Sequence, residues 1–351
     1  MPSPYPITVG TLFPVTIDLR NFDVDPDGNN DSTSGIQAAV DEADRTGQSC
    51  DILITPGTYL IGGPIRTTNA ANGQILWPSW GGPGTHAPVI RMRGTVIPQY
   101  PWVHYGSGIG LAADAQCTFA CGLSSGDGAM FGVGGPVNSS AGQPPQGNWF
   151  SNSAMVFEDL QFVTGTALGA INAALAWALQ VNRCIVTPVA TGGYTWPITG
   201  TTTQVGITTP YQWNNNNQFG RIDSTVVEGV YTGIAVSEHT HVGHVMCAQC
   251  HDGLLLLRSQ HPIKIENYES QHNVNGISFG PHDTTAPGNL TRLFCVMGFE
   301  KDATGPFSGG YVVNDPNDDG SGQVWHAANN ASPLVGFSMN GGSHITATSL
   351  G

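Results

Sequence analysis

The sequence predicts an all-β solenoid of stacked coils, and three observations carry that expectation. Glycine and proline number 47 and 24 while charged residues make up only 10% of the chain, a composition with many turns and few solvated helices. One stretch alone, DGNNDSTSGIQAAVDEADRTG at residues 27–47, reads as an amphipathic helix. Behind it, short apolar strands opened by a polar residue and a glycine recur at offsets of 20 and 23 residues, the period of an architecture built one supersecondary unit at a time.

A chain of 351 residues, 40% hydrophobic, is long enough for two average domains or one large all-β unit. Its apolar residues are spread evenly, which argues for a packed fold over a low-complexity segment. Residues 1–20, opening MPSPYPITVGTLFP, are expected to form an N-terminal arm. They lack a basic stretch followed by an apolar core, and no run approaches the length of a membrane span, so a soluble chain without membrane insertion is expected. Lys and Arg total 11 against 25 acidic residues, a formal charge of −14 with a pI near 4.9. No nucleic-acid partner is expected on that balance. Seven cysteines are an odd number in a large chain, which argues against a complete disulfide framework and for synthesis in a reducing cytoplasm.

In the helix, Asp31, Ser32 and Thr33 offer side-chain oxygens to the free N–H groups of a first turn. Ile36, Ala39, Val40 and Ala43 fall at the spacing of one buried stripe, and Gly47 supplies a left-handed stop. Directly afterwards DILITPGTYLIGGPI reads as a strand over Ile52 to Ile54, a type II turn at Pro56-Gly57 and a strand over Tyr59 to Ile61.

The order NFDVDPDGNNDSTSGIQAAVDEA then DILITPGTYLIGGPI resembles the N-terminal signature of the pectate-lyase-like right-handed parallel β-helix superfamily over residues 21–65, with Thr55 where the family often has proline. The resemblance implies a solenoid opened by an Asp-Gly loop and a capping helix. The helix then has a physical task, because a first coil exposes unpaired backbone groups and an open apolar core that invite edge-to-edge association. Residues 21–351 are accordingly expected to form a single parallel β-helix domain. Within it, 21–66 hold the capping helix and first coils, 67–150 irregular coils and excursions, and 151–351 regular coils.

In the regular part, TGIAVSEHTH at Thr232, DGLLLLRSQH at Asp252 and NGISFGPHDT at Asn275 align. RIDSTVVEG from Arg221, HVGHVMCAQC from His241 and PIKIENYES from Pro262 form a preceding column, and RLFCVMGFE from Arg292 continues it. MVFEDLQFVTG from Met155 and ALQVNRCIVT from Ala178 are cruder copies. Alternation points Ile234 and Val236 inward and Ala235 and Ser237 outward. GLLLL breaks that rule, placing Leu254 and Leu256 inward but Leu255 and Leu257 outward. A strand apolar on both faces is usually covered on both, either by a local loop or by a subunit interface at Leu255 and Leu257. Strands are also expected around Ile75 and over Val89 to Met92, followed by a long excursion from Gly106 to Trp149 and a second one at residues 208–220.

His241, His244, Cys247 and Cys250 fall at a three-residue spacing that suggests a metal. Strand alternation places His241 with Cys247 on one face and His244 with Cys250 on the other, so four ligands do not converge without a turn. No cofactor is expected, and calcium or zinc has no supporting ligand set. The repeat alignment stacks Glu238 on Arg258, with His239, Ser259 and His282 in the neighbouring column. This set is either a cross-strand ion pair or a catalytic group of Glu238, Arg258 and His239. Asp223, Glu228, Glu266, Glu269 and Asp283 are scattered outer acids. Among the aromatics, Trp196, Tyr211 and Trp213 are candidate glycan-stacking side chains, with core or loop packing as the alternative, and Trp177 has the same two readings.

More narrowly, Val227 to Gly229, Tyr231 to Gly233, Glu238 to Thr240 and Cys250 to Gly253 resemble β-helical minor tail proteins, tail-spike-like, of bacteriophages infecting actinobacteria. That resemblance implies a virion tail component, assembled in the host cytoplasm and acting outside it. It implies a homotrimer among other phage tail proteins, meeting host envelope polysaccharide. Two functions follow: a structural or receptor-binding tail protein without catalysis, and a polysaccharide depolymerase, lyase or glycoside hydrolase, on the same fold.

Overall fold

The computed structural model describes residues 13–46, 48–66, 89–98, 116–122, 129–133, 154–165, 169–174, 176, 178–188, 204–210, 219–237, 239–256, 263–271, 273, 275–279, 293–299, 336–339 and 343–347. The chain enters through β1 (Val15–Asp18), inside the segment expected to be an arm, and a 3-10 turn at Leu19–Asn21. β2 (Asp27–Asp31) then leads into α1 (Thr33–Thr46). Of the three expected capping side chains, Asp31 meets the first turn, accepting the Thr33 N–H at 2.9 Å. Ser32 turns its hydroxyl back to the preceding loop, accepting the Asp25 N–H at 2.9 Å. Thr33 Oγ1 instead accepts the Gly62 and Gly63 N–H groups at 2.8 and 3.0 Å, which ties the helix to the coil beneath it. Ile36, Ala39, Val40 and Ala43 are buried as the stripe requires.

The remaining strands are, in chain order, β3 (Cys50–Ile54), β4 (Gly57–Ile61), β5 (Ile65–Arg66), β6 (Val89–Gly94), β7 (Cys117–Cys121), β8 (Ala129–Gly132), β9 (Ala154–Glu158), β10 (Gln161–Thr164), β11 (Gly169–Asn172) and β12 (Ala178–Asn182). There follow β13 (Ile185–Pro188), β14 (Val205–Thr208), β15 (Phe219–Asp223), β16 (Thr225–Glu228), β17 (Thr232–Val236), β18 (Thr240–Ala248), β19 (Asp252–Leu256), β20 (Ile263–Gln271), β21 (Asn275–Phe279), β22 (Leu293–Phe299), β23 (Gly336–Met339) and β24 (Ser343–Ala347). They form three parallel ladders. The first runs β1, β3, β6, β9, β12, β15, β18, β20, β22, β24. The second runs β2, β4, β7, β10, β13, β16 and the far halves of β18, β20 and β22. The third runs β5, β8, β11, β14, β17, β19, β21. From β3 to β21 each coil contributes to all three ladders, β18 and β20 each serving the first two, so the chain is a right-handed parallel β-helix. Among the described residues the one antiparallel pairing is β23 with β24.

Thr232, Asp252 and Asn275 are in direct register, as the repeat predicts. The other column is His241 beside Lys264, two residues past the expected Pro262, and Ala154, not Met155, pairs with Ala178. The expected excursion from Gly106 to Trp149 contains β7 and β8, two strands of a full coil. Phe119 and Phe131 from these strands meet Phe157 and Phe162 edge-on or tilted, at ring separations of 5.1 to 5.9 Å. This aromatic knot adds quadrupole complementarity to its burial.

Three glycines of the third ladder have a steric cause. Gly206, Gly233 and Gly253 stack where two ladders press together, and an added Cβ would lie 2.8 Å from Val227, 2.9 Å from Cys247 Sγ, and on the Tyr268 hydroxyl, respectively. The turn after β3 needs glycine too, but it is not type II. Gly57 has φ +152°, and Pro26 O would sit 2.7 Å from a Cβ there. Inward Ile234 and Val236 join the core, yet Ala235 and Ser237 opposite them are only 3% and 2% exposed. That flank is therefore covered on both faces, and Leu255, in register with Ala235, is half-buried. No helix among the described residues is long and apolar enough to cross a membrane.

Candidate functional site

The first ladder sets its side chains in three columns. The middle one, Ile52, Met92, Phe157, Val181, Ile222, Val242 and Ile265, is buried. Alternation therefore turns the residues on either side outward. One outer column is Asp51, Arg91, Val156, Gln180, Arg221, His241 and Lys264. The other is Leu53, Arg93, Glu158, Asn182, Asp223, Gly243 and Glu266. At about 4.8 Å per coil this polar stripe extends roughly 29 Å, one side rich in bases and the other in acids.

Its first half is closed upon itself. Arg91 grips Asp51 through two bonds of 3.0 and 2.7 Å, and Arg93 adds a third at 3.0 Å. Arg183 bridges Glu158 at 2.7 Å and Asp159 at 2.6 and 2.8 Å. The Phe13 ring covers the Arg91 guanidinium at 4.2 Å, a cation–π contact. Asp159 hydrogen bonding, followed by Glu158, raises the Arg183 pKa further. With every carboxylate engaged, this half is a staple holding coils together.

The second half is open. Asp223 accepts the His244 N–H at 3.0 Å and an Arg221 bond at 3.3 Å. The His244 hydrogen bond is the main reason its carboxyl lies below the ordinary value. Gly243 has no side chain because a Cβ would strike that carboxylate. One coil on, His241 Nε2 stands 3.2 Å from Glu266 and His244 Nε2 2.9 Å from Glu269. Lys264 also pairs with Glu266 and, ahead of His241, holds its carboxyl low. Arg221, His244, Lys264 and Glu266 are exposed. The face thus offers fixed cations, carboxylates and two imidazoles along a straight line, able to bind a linear polar polymer or move a proton beside one.

Of the expected catalytic set, His239 is described, half-buried at a corner with φ +58°. Asp159, Arg183, Ser224 and Gln249 turn other corners at φ 57°, 50°, 49° and 52°, so the conformation belongs to the solenoid's bends and marks no special strain. Thr209 Oγ1 locks this corner, accepting the Ser237 N–H at 3.0 Å with Thr240 Oγ1 3.4 Å away. Glu238, Arg258, Ser259, His282, Asp283, Trp177, Trp196, Tyr211, Trp213, Leu257, Gly47 and Ile75 lie outside the described residues. Glu228, expected outside, is 3% exposed.

The His and Cys positions divide differently from simple alternation. Two successive positions, Gly243 and His244, lie between inward Val242 and Val245, because β18 runs through a bend that earlier coils make at a separate corner residue. Both histidines therefore reach the outer face while Cys247 and Cys250 are in the core. Cys50, Cys117, Cys184, Cys247 and Cys250 are free thiols and, with Cys121, are buried. Burial pushes Cys184 and Cys250 up to about 12, far from the thiolate that metal or redox chemistry needs. The 20-residue offset already aligns Arg221 with His241, whereas the closed half has no local sign in the sequence, since its neighbours come from coils separated by insertions.

No family model matches the sequence, and no curated protein matches it. Among solved structures it is similar to the tailspike protein of Acinetobacter phage vB_ApiP_P1, with TM-score 0.40 and 10% identity over 83% of this chain and 49% of that one. It is also similar to bacteriophage phi29 gene product 12, with TM-score 0.36 and 11% identity over 85% of this chain and 36% of that one. The catalytic unit of an alpha-1,3-glucanase from Streptomyces thermodiastaticus gives TM-score 0.31 and 12% identity over 80% and 53%. The chain spans about half the length of the tailspike and of the glucanase unit.

Proposed function

We propose that this chain is a bacteriophage tail protein, a minor tail protein or tail spike, that binds a host cell-surface glycan along the open half of its polar stripe. The observation that carries the reading is the register itself. Arg221, His241 and Lys264 on three successive coils, with Asp223 and Glu266 beside them, make a straight row of donors and acceptors on a rigid support. A polymer laid along the axis meets the same spacing at every coil. The resemblance of residues 227–253 to phage tail proteins agrees with it, and a homotrimer among other tail proteins would multiply weak contacts by effective concentration.

A depolymerase is the second reading, favoured by the placement of Glu266 and Glu269 within reach of imidazoles on the same face. Incubating the protein with purified envelope polysaccharide separates the two. Retention of the polymer with no new reducing ends or unsaturated products is expected of a binder; product formation that falls in Glu266→Gln or Glu269→Gln would assign the cutting role. Finding neither retention of nor product from any envelope glycan at any pH would sink both.

A further inference from the structure

Resting on that reading of the stripe, we propose that its open half binds an anionic glycan and that protons taken up by His241 and His244 gate the binding. The fixed cations on this face are Arg221 on β15 and Lys264 on β20, and the carboxylates are Asp223 on β15 and Glu266 and Glu269 on β20. The preceding strand β12 presents neutral Gln180 and Asn182. The sequence of β22, on the other side, contains no acid, lysine, arginine or histidine. Glu228, the remaining acid of β16, is buried at the next corner. With neutral imidazoles the face carries one net negative charge; with both protonated it carries one net positive charge.

Asp223 and Glu266 do not cancel this change by protonating at the same time. Lys264 and then His241 hold Glu266 below its ordinary value, and the His244 N–H does the same for Asp223. Histidine is the side chain that charges in the mildly acidic range where these carboxylates remain ionised. The geometry makes the switch local. His241 completes the basic column between Arg221 and Lys264, and His244 stands beside it, so both new charges arrive next to the fixed cations. The whole chain bears a formal charge of −14 and repels polyanions at neutral pH, so a favourable local field has to be made on demand.

The test uses fluorescent hyaluronate as a carboxylate polymer, inorganic polyphosphate as a phosphate polymer and dextran as a neutral one. Affinities are measured by anisotropy at constant low salt, at about pH 7.5 and about pH 5.5. For at least one polyanion the affinity is expected to rise on the order of tenfold in acid, and to fall again with added salt. In His241→Gln/His244→Gln the rise should shrink to less than about threefold, with circular dichroism unchanged because both side chains lie on the outer face. Whichever polyanion rises identifies the carboxylate or the phosphate source. A pH-independent affinity, an equal rise for dextran, or an undiminished rise in the double variant would overturn the gating while leaving glycan binding intact. Absence of any binding to polyanion or envelope glycan would remove the underlying reading as well.

Discussion

Asp51 sits at an outward position yet its side chain is only 6% exposed, because two arginines from the next coil close over it. Burial pushes its carboxyl upward, but the hydrogen bonds from Arg91 and Arg93 outweigh that and leave it below the ordinary value. A carboxyl depressed in the folded state contributes stability that is present above its unfolded pKa, about 3.9, and is lost as the pH falls through the folded one. Asp51→Asn keeps the size but leaves two half-buried guanidiniums facing each other, and should cost about 3 kcal/mol at neutral pH in urea unfolding. The gap between the two proteins should narrow as the pH falls below the unfolded value and the native carboxyl takes its proton. A gap that stays constant would mean that packing, not charge, is what Asp51 supplies. None of this was legible in the sequence, since the partners are 40 and 42 residues away across an insertion.

At the scale of elements, α1 was legible because its apolar stripe and its buried stripe are the same four residues. The repeats at Thr232, Asp252 and Asn275 were legible because each carries a glycine after its polar residue, which at Gly233 and Gly253 the facing ladder requires. The coil of β7 and β8 was not, for both strands bury three successive residues, so no alternation shows between long connections. The one-residue slip between β9 and β12 has a similar cause, since Ala154 to Phe157 is an unbroken apolar run with no polar marker to fix its register. What the helix does to the sheet was hidden as well. Gln37 places its amide on the edge of β5, accepting the Arg66 N–H at 2.8 Å and donating to the Arg66 carbonyl at 2.7 Å, as a neighbouring strand would. Gln37→Glu retains the acceptor but sets a carboxylate against a carbonyl. It should lower stability by about 1–3 kcal/mol at neutral pH and recover much of that once the new carboxyl is protonated. Equal stability of variant and parent across that range would show that the edge does not depend on this residue.

The molecule as a whole is quasi-one-dimensional, each coil satisfied by its neighbours, so its ends bear the risk that its middle does not. In the interior of the stack a strand is paired on both edges, whereas β1 and β2 have one ladder partner each, β3 and β4, among the described residues. Two devices answer this at the N-terminal end. β2 is polar and largely exposed, with the Asp25 carboxylate accepting the N–H groups of Asp27, Asn29 and Asn30 at 2.9, 3.1 and 2.7 Å. Over the apolar end lies α1, whose Ile36 is fully buried. The chain's excess of negative charge adds a long-range repulsion that keeps copies apart until salt screens it. Ile36→Asp should therefore act at two levels. It buries an unpaired charge, which costs at least about 3 kcal/mol, and by unseating the helix it opens the coil end, so that light scattering shows association growing with salt. Ser34→Asp, on the exposed side of the same helix, changes the charge equally and should remain monodisperse with unchanged stability. If Ile36→Asp matched it in both respects, the end of the solenoid would not depend on α1 for its closure.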